Sequence, residues 1–210
     1  MIPDRLRRQI NFILEADRLK QVIRRTYIMP DPQTGESRNE NSAEHSWQLA
    51  LMALLLAEHA NQTPDQPVDP VHVAKMVLIH DIIEVDAGDT FAFDPAANLD
   101  KAQREQKAAD RLFGLLPADQ GGDLRALWDE FEARQTPAAK FANALDRLMP
   151  ALHNFHNQGG SWRDHNVTLD RVRVRMAPIA EGSALLGELI EEVLAAAVAA
   201  GILAQGEATL

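Results

Sequence analysis

Apolar residues recur along this chain with a period near 3.6 and almost never alternate, the pattern of amphipathic helices. Ile10, Ile13, Leu14, Leu19, Val22 and Ile23 mark a first helix over about 5–25. A polar loop with Pro30, Pro32 and Gly35 follows, and Ser42 stands where it can cap a helix over Ala43–Ala60. After Pro64, Pro67 and Pro70, a dense apolar run predicts a buried helix over about 70–85, and Gly88–Pro95 an irregular loop. Charged helices are expected at about 98–116 and 123–134, separated by Pro117 and Gly121-Gly122. Pro137 suits the first turn of a helix that reaches about 157, and Gly159-Gly160 ends it. Two last helices fall at about 167–176 and 182–200. The expectation is one all-α domain over 1–210, a bundle of about seven to nine helices with strand content close to none.

Composition narrows the partners. Thirty-one acidic residues against twenty-one basic ones give a formal charge of −10. Such a field repels polymeric nucleic acid and anionic membranes, so any phosphorylated ligand needs a local cation. With no cysteine, disulfides, thiolate metal sites and cysteine nucleophiles are excluded, leaving histidine and carboxylate to hold any metal. The longest clean apolar stretches, Leu49–Ala57 and Val193–Ala204, fall short of the ~20 residues a membrane span needs. No targeting segment is visible, so a cytoplasmic location is expected.

The chemistry concentrates in the apolar run over 76–83. Met76-Val77-Leu78-Ile79 leads into His80-Asp81, and Ile82-Ile83 follows. A carboxylate buried in such a run must pair with a cation, bind a metal or shift its pKa. Two readings of the pair stay open: a satisfied core histidine with an arginine-paired aspartate, or a metal site. His45 opens the apolar stripe of its own helix, in line with Leu49, Met52 and Leu56, which adds a second buried imidazole. Asp146 flanks the stripe Phe141, Leu145, Leu148, Met149 and Leu152, where Pro150 should kink the helix.

Together Glu44-His45-Ser46, His80-Asp81-Ile82-Ile83-Glu84 and Leu145-Asp146-Arg147 resemble the H…HD…D signature of HD-domain metal-dependent phosphohydrolases, with spacings of 35 and 65 residues. Leu19-Lys20, Arg24, Asn41–Ser46 and Gly88-Asp89 are more narrowly similar to the branch that contains the 5′-deoxynucleotidases. The similarity extends over about 8–156.

That resemblance implies that His45, His80, Asp81 and Asp146 bind one divalent cation, Mn²⁺, Co²⁺, Zn²⁺ or Mg²⁺. Glu84 would be the catalytic glutamate, with Asp86 its nearest rival. Arg24 would bind the phosphate, helped by Lys20 one turn before it, and Asp89 the sugar hydroxyl. The implied activity is removal of the 5′-phosphate from (deoxy)nucleoside 5′-monophosphates, a small nucleotide being the partner and a homodimer the assembly. Arg25 stands where the branch often carries an aromatic, which leaves the deoxy preference open. A (p)ppGpp-type pyrophosphohydrolase is a rival, although Val85 stands where those enzymes are acidic; a non-catalytic metal- or nucleotide-binding regulator is another. His153 and His156 are three apart and could chelate, or simply close a polar helix end. Trp162, Arg163 and His165 read as a polar-aromatic loop without a role. The stretch Leu185–Leu203 is core or a dimer seam.

Overall fold

The computed structural model describes residues 1–94 and 96–206, so Pro95, the last residue of the expected loop, lies outside it. The architecture is helical, as the periodicity requires. Helices α1 (Asp4–Ala16), α2 (Ser42–Leu56), α3 (Pro70–Ile79), α4 (Glu84–Ala87), α5 (Lys101–Phe113) and α6 (Ala118–Ala133) make the first part. They are followed by α7 (Pro137–His156), α8 (Gly160–Asp164), α9 (Leu169–Met176), α10 (Ile179–Gly182) and α11 (Ala184–Ala199). Eight of these are eight residues or longer, which matches the expected bundle.

The first departure is at the N-terminal end. Instead of continuing to 25, α1 stops at Ala16, and a 3₁₀ turn over Asp17–Gln21 leads into strand β1 (Ile23–Tyr27). This strand pairs antiparallel with β2 (Asn39–Asn41), and the register slips between the pairs Ile23–Asn41 and Tyr27–Asn39. The slip is a bulge under Arg24–Thr26, the kind of irregularity that re-aims a side chain. Lys20 ends exposed beside Asp17 rather than one helical turn before Arg24.

The cap of α2 is Asn41, not Ser42. Its side chain accepts from the Glu44 N–H while the Glu44 carboxylate accepts from the Asn41 N–H, a reciprocal capping box. That frees the Ser42 hydroxyl for another partner. Helix α3 is capped by Asp69 with Pro70 in its first turn, and it ends at Ile79 rather than near 85. His80–Ile83 form a turn and α4 restarts at Glu84. Gly121 and Gly122 lie inside α6 instead of breaking it. A Cβ on Gly121 would stand 2.4 Å from the Phe113 carbonyl oxygen, so the glycine lets α6 close on the end of α5.

Most of the core forms around α7, whose Phe141, Leu145 and Leu148 meet Leu49 of α2, Met76 of α3, Ile179 of α10 and Leu194 of α11. Trp162 belongs to it as well: the expected loop is the short helix α8, and the indole is buried. A second cluster gathers Phe12, Leu19, Ile79, Ile82, Ile83, Leu112 and Phe113. One face of α11 is core, through Leu186, Ile190 and Leu194, while Leu185 and Leu189 stay exposed. Among the described residues, no helix is long and apolar enough to cross a membrane.

Candidate active site

Three core elements bring the chemistry together. The start of α2 supplies His45, the turn after α3 supplies His80 and Asp81, and the middle of α7 supplies Asp146. His45, His80 and Asp81 are buried, with ligand atoms all within 4.8 Å of one another, a set able to hold a metal ion. Asp146 closes it: its Oδ1 lies 3.1 Å from His45 Nε2 and 3.9 Å from His80 Nε2. The break after Ile79 matters here, because in a continuous helix His80 and Asp81 would diverge by about 100°. In the turn, Asp81 Oδ1 comes to 3.0 Å from His80 Nε2.

The imidazoles are oriented for ligation. His80 Nδ1 donates to the Val77 carbonyl at 2.7 Å, which fixes its proton there and leaves Nε2 facing the cluster without a hydrogen-bond partner. Behind His45, Nδ1 stands 3.2 Å from Glu40 Oε2. Glu40 is almost wholly buried and lies 3.7 Å from Arg24 Nε and 4.0 Å from His153 Nδ1. This carboxylate escapes sequence reasoning; its one signal is its place in the short alternation Asn39-Glu40-Asn41, whose middle position is the buried one. His153 is itself buried, and burial pushes its pKa down. His156 is exposed, so the two do not face one site.

Electrostatically the cluster is crowded with acid. Burial alone would lower His80, but Asp81 and Asp146 outweigh it and hold the imidazole well above its ordinary value. Burial and Arg24 likewise lower His45, while Asp146 and Glu40 carry it upward. Against the penalty of burial, His80 and Arg24 hold Asp81 at about 2, and the two histidines keep Asp146 well below the carboxylate range. Two imidazole nitrogens and two carboxylates are a donor set that fits a borderline or hard divalent cation.

Arg24 reaches this cluster from β1. Its Nη1 donates to Asp81 Oδ2 at 2.7 Å and lies 3.9 Å from Glu84 Oε2 and 3.8 Å from Asp89 Oδ1; Nη2 is 3.9 Å from Asp146. Burial opposes its charge, but these carboxylates hold the guanidinium firmly protonated. Glu84, first residue of α4, is buried, and Ser42 Oγ donates to its Oε2 at 2.6 Å. Burial and neighbouring Asp81 raise its pKa to about 8. Burial, partly offset by Arg24, also raises Asp89. Asp86 faces elsewhere, paired with Arg111 Nη2 at 2.7 Å, and is no rival to Glu84.

An HD-domain family model matches residues 16–185, a span that contains all of these residues. The chain belongs to the HD-domain family. A solved structure described as a predicted metal-dependent phosphohydrolase from Magnetospirillum magnetotacticum MS-1 is 49% identical to this HD domain, covers 97% of it and 100% of its own chain, and has a TM-score of 0.87. The 5′-deoxynucleotidase HDDC2 of Bos taurus is 30% identical over 141 residues, 67% of this chain and 63% of its own length. The 5′-deoxynucleotidase PM0747 of Pasteurella multocida (strain Pm70) is 29% identical over 124 residues, 56% of this chain and 64% of its own. The HD domain here thus spans a little under two thirds of the curated relatives it matches.

Proposed function

We propose that this HD domain is a metal-dependent phosphohydrolase that removes the 5′-phosphate from (deoxy)nucleoside 5′-monophosphates. The observation that carries the reading is the convergence of buried His45, His80 and Asp81 with Asp146, beside an acidic group, Glu84, poised near neutrality. The likeness to the phosphohydrolase and 5′-deoxynucleotidases named above supports it. His45 and His80 through Nε2, with Asp81 and Asp146, would hold one divalent cation. Such an ion supplies Lewis-acid polarisation and a more acidic water.

The rest of the work falls to the chain. Ser42 holds one oxygen of Glu84, and the other takes a proton from the water that attacks phosphorus. A carboxyl near the operating pH suits that transfer and the return of the proton to the leaving alkoxide. Arg24, anchored on Asp81, presents Nη2 to the phosphate oxygens. Asp89, opposite Arg24, accepts a hydrogen bond from the sugar hydroxyl. Glu84→Gln keeps the size and the Ser42 contact but cannot take a proton, so it should lose turnover at least a hundredfold, within the usual range for a positioned acid–base group, with metal content unchanged. A panel of nucleotides assayed for free phosphate is the measurement. Wild-type rates in Glu84→Gln would defeat the mechanism, and pyrophosphate released from a guanosine polyphosphate would favour the pyrophosphohydrolase reading instead.

A further inference from the structure

Positive charge around this site comes from four arginines. Arg24 sits among five carboxylates: those of Asp81, Glu84, Asp89, Asp146 and Glu40. A cavity against Asp146 is lined by Arg24, Arg25, Arg147 and Arg175, by Phe91 and Phe93, and by two carboxylates, Asp89 and Asp146. Arg147 is only 3% exposed, yet among the described residues it has no ion pair. Its Nη1 donates to the Asn143 carbonyl and Oδ1, each at 3.0 Å, while Nε has no partner. Taking a guanidinium out of water without a counter-ion is expensive.

Arg175 is the hinge of the arrangement. Val172 and Met176 anchor α9 in the core and leave Arg175 on the flank facing the site. Its sole acidic contact among the described residues is Asp146 Oδ2 at 3.8 Å, too long for a hydrogen bond. It borders both this cavity and the pocket that contains His80, Asp81 and Glu84. Arg25, exposed on β1, lines the same wall and has no ion pair among the described residues. Three guanidinium groups on one cavity, one of them buried with an unpartnered N–H, suit a multiply charged anion whose oxygens accept paired N–H donors. A phosphate dianion has that geometry.

We propose that Arg147, Arg175 and Arg25 form a phosphate-binding subsite beside the metal-ligand cluster, in the cavity that Arg24 also lines. The proposed function enters only in naming the molecule that carries this phosphate. It is either the phosphate being cleaved or a second one on the same nucleotide.

Calorimetric titration of the full chain, loaded with Mn²⁺, with inorganic phosphate tests the subsite directly. Arg175→Gln should weaken phosphate binding about tenfold or more, the effect expected for loss of a charge-assisted pair. Arg175→Lys should restore part of the loss, and Arg25→Gln should give a smaller one. Affinity within twofold of wild type in the Arg25→Gln/Arg175→Gln double variant overturns the proposal. KM for a nucleoside 5′-monophosphate and for a 3′,5′-bisphosphate then identifies the source. Equal rises in Arg175→Gln mark the cleaved phosphate, and a larger rise for the bisphosphate marks a second one. If the wild type turns over neither, the phosphohydrolase reading fails, while the calorimetry still decides the subsite.

Discussion

Replacing Ser42 with alanine removes one buried contact and should move one proton equilibrium. Ser42 is fully buried and its Oγ donates to Glu84 Oε2 at 2.6 Å. A hydrogen bond to a charged group is worth about 1.5–3 kcal/mol, and one pH unit corresponds to about 1.4 kcal/mol. Protonated Glu84 can still donate back to the serine, so only part of that energy favours the ionised form. The difference that counts is about one pH unit. The sign follows: without the donor, the Glu84 carboxylate loses support and its pKa rises further. A base must be ionised to work, so the acidic limb of the kcat profile in Ser42→Ala should move to higher pH by about one unit. On that limb turnover falls about tenfold, and above it the two enzymes converge. Phosphate release at saturating nucleotide across pH 5–10 measures this, with a thermal melt to verify the fold. An unmoved limb refutes the reasoning, and a uniform loss at every pH reduces Ser42 to a packing role.

Two further outcomes follow from the acid-rich surroundings of the histidines. Glu40→Gln keeps the shape but removes the negative charge beside His45 Nδ1, so metal affinity should fall about tenfold or more; equilibrium dialysis against Mn²⁺ checks it, and an unchanged affinity contradicts the orienting role. In metal-free protein, His45, His80 and Glu84 all have pKa values above their unfolded ones. The folded state therefore binds more protons than the unfolded, first through Glu84 above about 4.5 and then through the histidines above about 6.5. Stability should decline as pH rises from 5 to 9, and a divalent cation should raise Tm more at pH 8.5 than at pH 6. Melting curves in EDTA and in Mn²⁺ test both, and a Tm of the metal-free protein that rises over that window would contradict the sign.

What could be read from residues alone follows a physical divide. Helices whose apolar stripes are self-contained, such as α7 with Phe141, Leu145 and Leu148, announce themselves, and they carry the candidate residues His45 and Asp146. Features made by distant pairing do not. Ile23 to Tyr27 leave the helical path because Asn39–Asn41 pair with them, and no local period encodes a partner a dozen or more residues away. The stop after Ile79 has no glycine or proline to mark it; Ile79, Ile82 and Ile83 join a second core cluster instead, so packing decides it. Ser42 reads as a cap because serine suits that place, yet Asn41 takes it and releases the hydroxyl to Glu84. Glu40, Arg147 and Arg175 look like ordinary charges, since only the folded arrangement brings them against the site.

The wall contributed by α9 has a consequence for how this protein can change over time. His45, His80, Asp81, Glu84 and Asp146 all precede Arg147, whereas Arg175 arrives from the segment that follows Gly159. Arg171, on the same helix, donates to the Phe93 carbonyl at 2.7 Å and so ties that segment to the loop bearing Asp89 and Phe91. Of the residues named in the proposed site, Arg175 alone comes from the tail beyond Gly159. Exchange of that tail between HD-domain relatives should therefore alter phosphate binding through Arg175 while His45, His80, Asp81 and Asp146 pass on unaltered, so one wall of the cavity can vary without touching the rest.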